Sequence, residues 1–297
     1  MGEPPRSFGR WVRKAGAVHT RVAAGAVESR VFDACWVVMS ILRVSHFSDL
    51  LYMLTWRDIR VRYKQSLMGF LWAILTPSMV VGAGVLVRVG IAKYAGRELS
   101  IDDILSLMVR AVPWAFFVSA LRFGTSSLLS NTSLVTKVAF PKEVFPLSAI
   151  VSSFFDFAIA TAALLVLFLI MGWTPTLHAL WFFVLILILV AFTTGLTLLL
   201  SAANLFFRDV KYLVEIVLTY AIFLTPVLYE ASFVGEWRDL LMLNPISPIM
   251  EGLADAVVHH RTPDAAWTAY SAGSAVLALV VGYWTFRKLE QKFAESI

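Results

Sequence analysis

The stretch ALWFFVLILILVAFTTGLTLLLSAA, residues 179–203, runs for 25 residues without a charged side chain. As a helix rising about 1.5 Å per residue it is long enough to cross a hydrocarbon layer about 30 Å thick. Lipid offers its backbone no hydrogen-bond partner, so every N–H and C=O must be satisfied within the helix itself. Five further stretches meet the same test, approximately 67–92, 104–129, 148–171, 212–229 and 265–286. They are too continuously apolar for barrel strands, which alternate lipid-facing and lumen-facing side chains. The sequence therefore predicts an all-α, polytopic membrane protein with six transmembrane helices.

Composition agrees. The chain is 59% hydrophobic and 15% charged, with a mean hydropathy of +0.77, leaving only residues 1–50 and some loops for water. Its single cysteine, Cys35, excludes an internal disulfide and a cysteine-built metal site. The opening MGEPPRSFGRWVRKAG is basic but has no apolar core, so it does not read as a cleavable signal, and Arg6 stands where a myristoylation signal needs Ser or Thr. Placing the N-terminal region, the 131–147 and 204–211 loops and the C-terminus on one side gathers 18 Lys and Arg there, against four opposite. By the positive-inside rule both termini are expected in the cytoplasm. The net charge of +5 then suits anionic membrane lipid and not nucleic acid.

Before the first span lies LYMLTWRDIRVRYKQS, residues 51–66. At 100° per residue Tyr52, Trp56, Ile59 and Tyr63 share a narrow face, while Arg57, Asp58, Arg60, Arg62 and Lys64 spread over the rest. This predicts an amphipathic interface helix over 51–65, its aromatic edge at the headgroups and its arginines reaching lipid phosphates or a partner's carboxylates. A basic flank that only orients the first span fits equally well. Upstream, VFDACWVVMSILR (31–43) is too short to span and is expected to lie on the membrane or the bundle.

The loop NTSLVTKVAFPKEVFPLS, 131–148, is unusual among such spans. Residues 133–140 suffice for about two helical turns, Pro141 ends them, and Pro146 can open the next span where a missing N–H costs nothing. Phe140 and Phe145 are large apolar side chains beside Lys137, Lys142 and Glu143, a pattern expected of a docking knob for another protein.

This loop resembles the coupling segment of the membrane subunits of ABC exporters for lipid-linked polysaccharides, the O-antigen, teichoic acid and capsule exporters. Further landmarks of that family follow in order: WRDIRVRYKQSLMGFLWAILTPS (56–78), VPWAFFVSAL (112–121), ANLFFRDVKYL (203–213), LTPVLYE (224–230) and LNPISPIMEGLADAV (243–257). The resemblance implies a transmembrane domain over 51–290, with a coupling segment at 131–147, a re-entrant region at 226–258 on the extracytoplasmic side and a cytoplasmic tail at 291–297. Residues 1–50 form a cytoplasmic extension with no counterpart in the family. Residues Lys137, Phe140, Pro141, Lys142, Glu143 and Phe145 are expected to contact the ATPase, with Arg208 and Asp209 as a second contact or a pin for the gate.

A phosphate-binding loop needs a Gly-Lys step, and the chain has none. ATP hydrolysis is therefore expected on a separate ABC ATPase that holds ATP and Mg, with no cofactor on this chain. The resemblance implies two copies of this chain with two ATPases in the bacterial cytoplasmic membrane, and an undecaprenyl-pyrophosphate-linked glycan of the O-antigen or teichoic acid type as cargo. Export of another lipid or a drug, or a membrane-embedded glycan enzyme, are the competing readings. The enzyme would need clustered carboxylates, for which Asp102, Asp103, Glu230 and Glu251 are candidates without catalytic spacing. No catalytic residue is assigned. His259 and His260 have no carboxylate at ligand spacing, so no metal site is expected.

Six helices are few to enclose a sugar chain, so the conduit is expected at a homodimer interface, near the first and fifth spans by resemblance. Gly82, Gly84 and Gly90 would permit close helix approach there. Charged residues in spans face protein or wet cavities. Arg88, Arg110 and Arg122 are such residues, the last two about 18 Å apart along a helix. They mark depths of a pyrophosphate route, or pair with Asp156 or Glu215, or snorkel. Trp72, Trp114, Phe116, Phe117, Tyr220 and Tyr229 offer faces for sugar rings, or else pack and form interface belts.

Overall fold

The computed structural model describes residues 47–64, 68–94, 96, 98, 100–137 and 140–293. The expected surface segment at 31–43, most of the N-terminal extension, and residues 294–297 of the tail lie outside the described residues. Leu51–Ile297 forms one compact unit. The described residues are helical with no strand: α1 (47–64), α2 (Leu71–Tyr94), α3 (Ile101–Ser130), α4 (Thr132–Lys137), α5 (Val144–Ile170), α6 (Trp181–Phe206), α7 (Val210–Ala221), α8 (Arg238–Met242), α9 (Ser247–Val257) and α10 (Ala265–Glu290). A 3₁₀ turn at Leu177–Leu180 leads into α6 and a 3₁₀ stretch at Ala231–Trp237 into α8.

Among the described residues five helices are long and apolar enough to cross a membrane: α2, α3, α5, α6 with its 3₁₀ turn, and α10. The expected fifth span, 212–229, is not one continuous helix. Helix α7 has 12 residues and gives way to turns from Ile222 onward. Pro226 supplies the reason, since its ring collides with the carbonyl four residues back, that of Ile222. The broken end is capped by side chains. Asn244 Nδ2 donates to Leu224 O at 3.2 Å and to Thr225 Oγ1 at 2.9 Å, and Tyr229 Oη donates to Phe223 O at 2.7 Å. Irregular backbone at membrane depth is tolerated only when its polar groups are satisfied in this way.

Helix α3 is the axis of the bundle, packed against α2, α5, α6, α7 and α9. Its N-terminus is fixed by a capping box in which Ser100 accepts from the Asp102 N–H and Asp103 accepts from the Ser100 N–H. Being sheathed in protein, α3 can bury polar groups that a lipid-facing helix could not, among them Ser106, Arg110, Thr125 and Ser127. Trp114, Phe116 and Phe117 are buried in its core packing. By contrast α2 and α7 expose apolar side chains broadly, including Met79, Leu86, Ile216 and Val217.

Helices α6 and α10 approach each other backbone to backbone. A Cβ on Gly282 would overlap the Gly195 carbonyl, and one on Gly195 would overlap the backbone at Ala278 and Leu279. Two backbones in direct contact leave little room for the helices to slide. Of the three glycines expected to serve close approach, only Gly84 is crowded, by the Leu107 side chain; Gly82 and Gly90 face open space.

Candidate functional site

Three clusters gather the residues singled out from the sequence. The first is the 131–147 segment. Helix α3 ends at Asn131, whose Nδ2 donates back to Ser127 O at 2.8 Å, and α4 follows directly. The Phe140 and Phe145 rings lie 5.5 Å apart, but only Phe140 retains exposure; Phe145 is fully buried and anchors the segment on the bundle. Pro141 is also part-exposed. The Lys142 ammonium turns back to Val135 O, and its backbone N–H donates to Glu290 Oε1 at 3.0 Å. Glu143 is buried too and faces Arg287, whose Nε lies 2.7 Å from Glu143 Oε1. Burial pushes the Glu143 carboxyl above its ordinary range, with Arg287 pulling against that effect. The Lys137 side chain lies outside the described residues.

Beside this segment, Arg208 and Asp209 are exposed in the turn between α6 and α7. The residue that fixes the turn is Asn204, fully buried, donating to Thr125 O at 3.0 Å and accepting from Lys211 N at 3.1 Å.

The second cluster joins α1 to α5. Arg62 pairs with Asp156, and Tyr63 donates its hydroxyl to the same carboxylate. Burial and that bond hold the Tyr63 hydroxyl well above its ordinary range, so it remains a donor. The Asp156 expected to pair with Arg110 or Arg122 is thus taken by α1. The Arg62 guanidinium also sits 4.3 Å from the centre of the Phe123 ring. A cavity of about 220 Å³ opens between α1, α2, α3 and α5, with Trp72, Phe116, Ser119 and Asp156 in its wall. On α1 the sides expected to be aromatic and basic do not separate cleanly: Tyr52, Trp56, Arg60 and Lys64 are all exposed, while Leu54 and Thr55 are buried. Arg57 pairs with its neighbour Asp58 at 2.8 Å, and Arg60 lies over Trp56.

The third cluster sits at the opposite end of the bundle. Arg88, 3% exposed, lies 3.4 Å from Asp103 Oδ1 and 3.5 Å from Glu230 Oε1, and donates to Asp103 O at 2.6 Å. Arg110, 1% exposed, donates to Tyr229 O at 2.8 Å and Glu251 Oε2 at 3.0 Å. Glu251 in turn accepts from the Ala231 N–H. Three carboxylates thus answer two buried arginines, tying α2, α3, the turns at 228–231 and α9 together. The four acids considered as catalytic include three of these, and each is engaged by an arginine. Arg122 is exposed and makes no ion pair among the described residues. Tyr220 is exposed on α7. Sequence reading placed Asn204 in the polar turn with Arg208 and Asp209 but missed Arg287, Glu290 and the Gly195–Gly282 contact; the partner of the charges near the C-terminus, Glu143, lies about 140 positions earlier.

Several apolar spans around a central helix that buries polar side chains define a multi-pass helical membrane protein. The chain belongs to the ABC-2 type transporter family, which matches residues 49–258. It is 34% identical over 254 residues to the O-antigen export system permease protein RfbA of Myxococcus xanthus, covering 84% of this chain and 96% of that protein. The RfbA permease of Klebsiella pneumoniae is 28% identical over 256 residues, covering 86% and 97% of the two chains. The polysialic acid transport protein KpsM of Escherichia coli is 22% identical over 249 residues, covering 81% and 93%. The family makes this chain a transport permease subunit, not an enzyme, that works with an ATPase subunit.

Proposed function

We propose that the chain is the permease of an ATP-driven exporter that moves a lipid-linked polysaccharide outward across the bacterial cytoplasmic membrane. Its likeness over 84% of its length to a permease named for O-antigen export carries this reading. The chain acts as a homodimer with two copies of a separate ATPase, which holds ATP and Mg. The part-exposed Phe140 and Pro141, with the exposed Arg208 and Asp209, form the surface offered to that ATPase. Both termini are cytoplasmic, a reading that the Lys and Arg distribution supports. The chain crosses six times, the fifth crossing made by α7 and the capped turns after it, and the 3₁₀ stretch with α8 and α9 forms a re-entrant hairpin. The exposed apolar faces of α2 and α7 suit lipid or the second copy. Cargo is an undecaprenyl-pyrophosphate-linked glycan of the O-antigen or teichoic acid type.

The test is deletion of the gene followed by extraction of lipid-linked glycan from cells and surface. Accumulation inside with loss outside, reversed by the intact gene, is the expected outcome. Normal surface glycan in the deletion strain sinks the reading.

A further inference from the structure

We propose that α10 is a rigid strut carrying displacement of the coupling segment across the membrane to the hairpin that contains α9, and that Glu143, Arg287 and Glu290 form the joint at its cytoplasmic end. The proposal rests on the transport reading above.

The joint is built of two links. Arg287 Nε approaches Glu143 Oε1 to 2.7 Å while its Nη1 lies 3.3 Å from Glu290 Oε2. Glu290 Oε1 accepts the Lys142 N–H at 3.0 Å, so α10 grips both a side chain and the backbone of the coupling segment. The Glu143 side chain is 6% exposed. Arg287 keeps 49% of its side-chain surface, so solvent screens the contact from that side, but pulling Arg287 away would still leave a buried carboxylate without its compensating charge. The end of α10 is also fixed laterally. Phe293 is fully buried, with its ring 5.3 Å from Phe286 and 6.0 Å from Phe206 at the end of α6.

The shaft is stiff. Helix α10 has 26 residues, about 39 Å at the usual rise. It contains no proline, and at Gly195–Gly282 its backbone rests on that of α6. The far end is fastened as well. Asp264 caps the helix by accepting from Ala266 N and Trp267 N; Tyr270 Oη donates to Leu243 O and Ser271 Oγ to Pro245 O, each at 2.8 Å. Leu243 and Pro245 lead directly into α9. The coupling segment is covalently continuous with α3 and α5, but neither is bonded in sequence to α9. Helix α3 meets α9 directly through Arg110 and Glu251; the strut supplies a second connection, one that grips the coupling segment itself through Glu143 and the Lys142 backbone.

The test uses the chain purified with its cognate ATPase, and export measured in cells. Glu143→Lys and Arg287→Glu are made singly and together; the swap conserves the net charge of the three-residue joint. Arg287→Glu is expected to retain the ATPase and hydrolyse ATP within about two-fold of wild type while export falls about ten-fold; Glu143→Lys is expected to lower export as far, and the double variant to recover it to within about three-fold. In a Cys35→Ser background, nitroxides at Ser133→Cys and Lys288→Cys leave the joint intact. Their separation is expected to be the same without nucleotide and with ATP bound. Unchanged export in the single variants, loss of ATPase retention in Arg287→Glu, failure of the swap to restore export, or a nitroxide separation that changes with ATP each overturns the strut. A wild-type chain that binds no ATPase or supports no export instead sinks the transport reading itself.

Discussion

Arg110 on α3 reaches Glu251 on α9 across 3.0 Å, though 141 positions separate them in the chain. Both are sheltered, Arg110 nearly completely. Removing one member of such a pair leaves the other buried and unpaired, which costs about 3–5 kcal/mol, whereas replacing both with apolar groups of similar size is often close to neutral. Arg110→Met is therefore expected to lower the midpoint of thermal unfolding in detergent far more than Arg110→Met with Glu251→Met. Equal losses in the single and double variants would mean that the pair is not a unit.

The Gly195–Gly282 contact gives a prediction that discriminates among glycines. Gly282→Ala forces a methyl into the Gly195 carbonyl and is expected to cost about 1–3 kcal/mol or more, as overpacking does. Gly82→Ala meets nothing, so in a helix interior it is expected to be neutral or to stabilise by up to about 1 kcal/mol. Chemical unfolding of the purified variants measures both. A destabilised Gly82→Ala beside a neutral Gly282→Ala reverses the assignment of the close approach.

These two cases show where sequence was legible. Apolar runs alone located α2, α3, α5, α6 and α10, because lipid demands that any such run be a helix. The break after α7 was written in Pro226, but 212–229 is mostly apolar and hydropathy does not register a missing N–H. Glycines 82, 84 and 90 were read as serving close approach between two copies, whereas the close approach within one copy falls at Gly195 and Gly282; which glycine meets a neighbouring backbone depends on helix rotation, which a one-dimensional pattern does not hold. The charged clusters were the least legible part. Arg88, Arg110 and Asp156 were each visible as charges in spans, but their partners lie on other helices and become unambiguous only when the helices are packed.

Glu143 predicts a pH dependence. Burial raises its folded-state pKa above the ordinary value of 4.5. Between the two values the folded chain keeps a proton that the unfolded chain has released. Stability is therefore greatest below the ordinary value and falls as pH rises through that window. Melting temperatures taken upward from about pH 4 should show this decline, and Glu143→Gln should flatten it. A Glu143→Gln profile with the same slope as wild type would assign the decline to other groups.

Phe140 and Phe145 separate docking from folding within one segment. Their rings touch at 5.5 Å, but Phe145 has no exposed surface and Phe140 keeps some. Truncating a fully buried phenylalanine leaves a cavity in the bundle and costs about 3–5 kcal/mol of folding stability. Phe145→Ala is therefore expected to lower yield and melting temperature, with any loss of the ATPase following from the damaged fold. Phe140→Ala removes a part-exposed ring and is expected to leave the fold close to wild type. If that ring seats in a cleft on the ATPase, its loss weakens association by about 2 kcal/mol, which corresponds to roughly a thirty-fold loss of affinity. The two variants are compared by melting temperature and by ATPase retained on the purified permease. Full retention by Phe140→Ala would leave the ring without a role in docking, and the contact would have to shift to Pro141 and the exposed turn at Arg208 and Asp209.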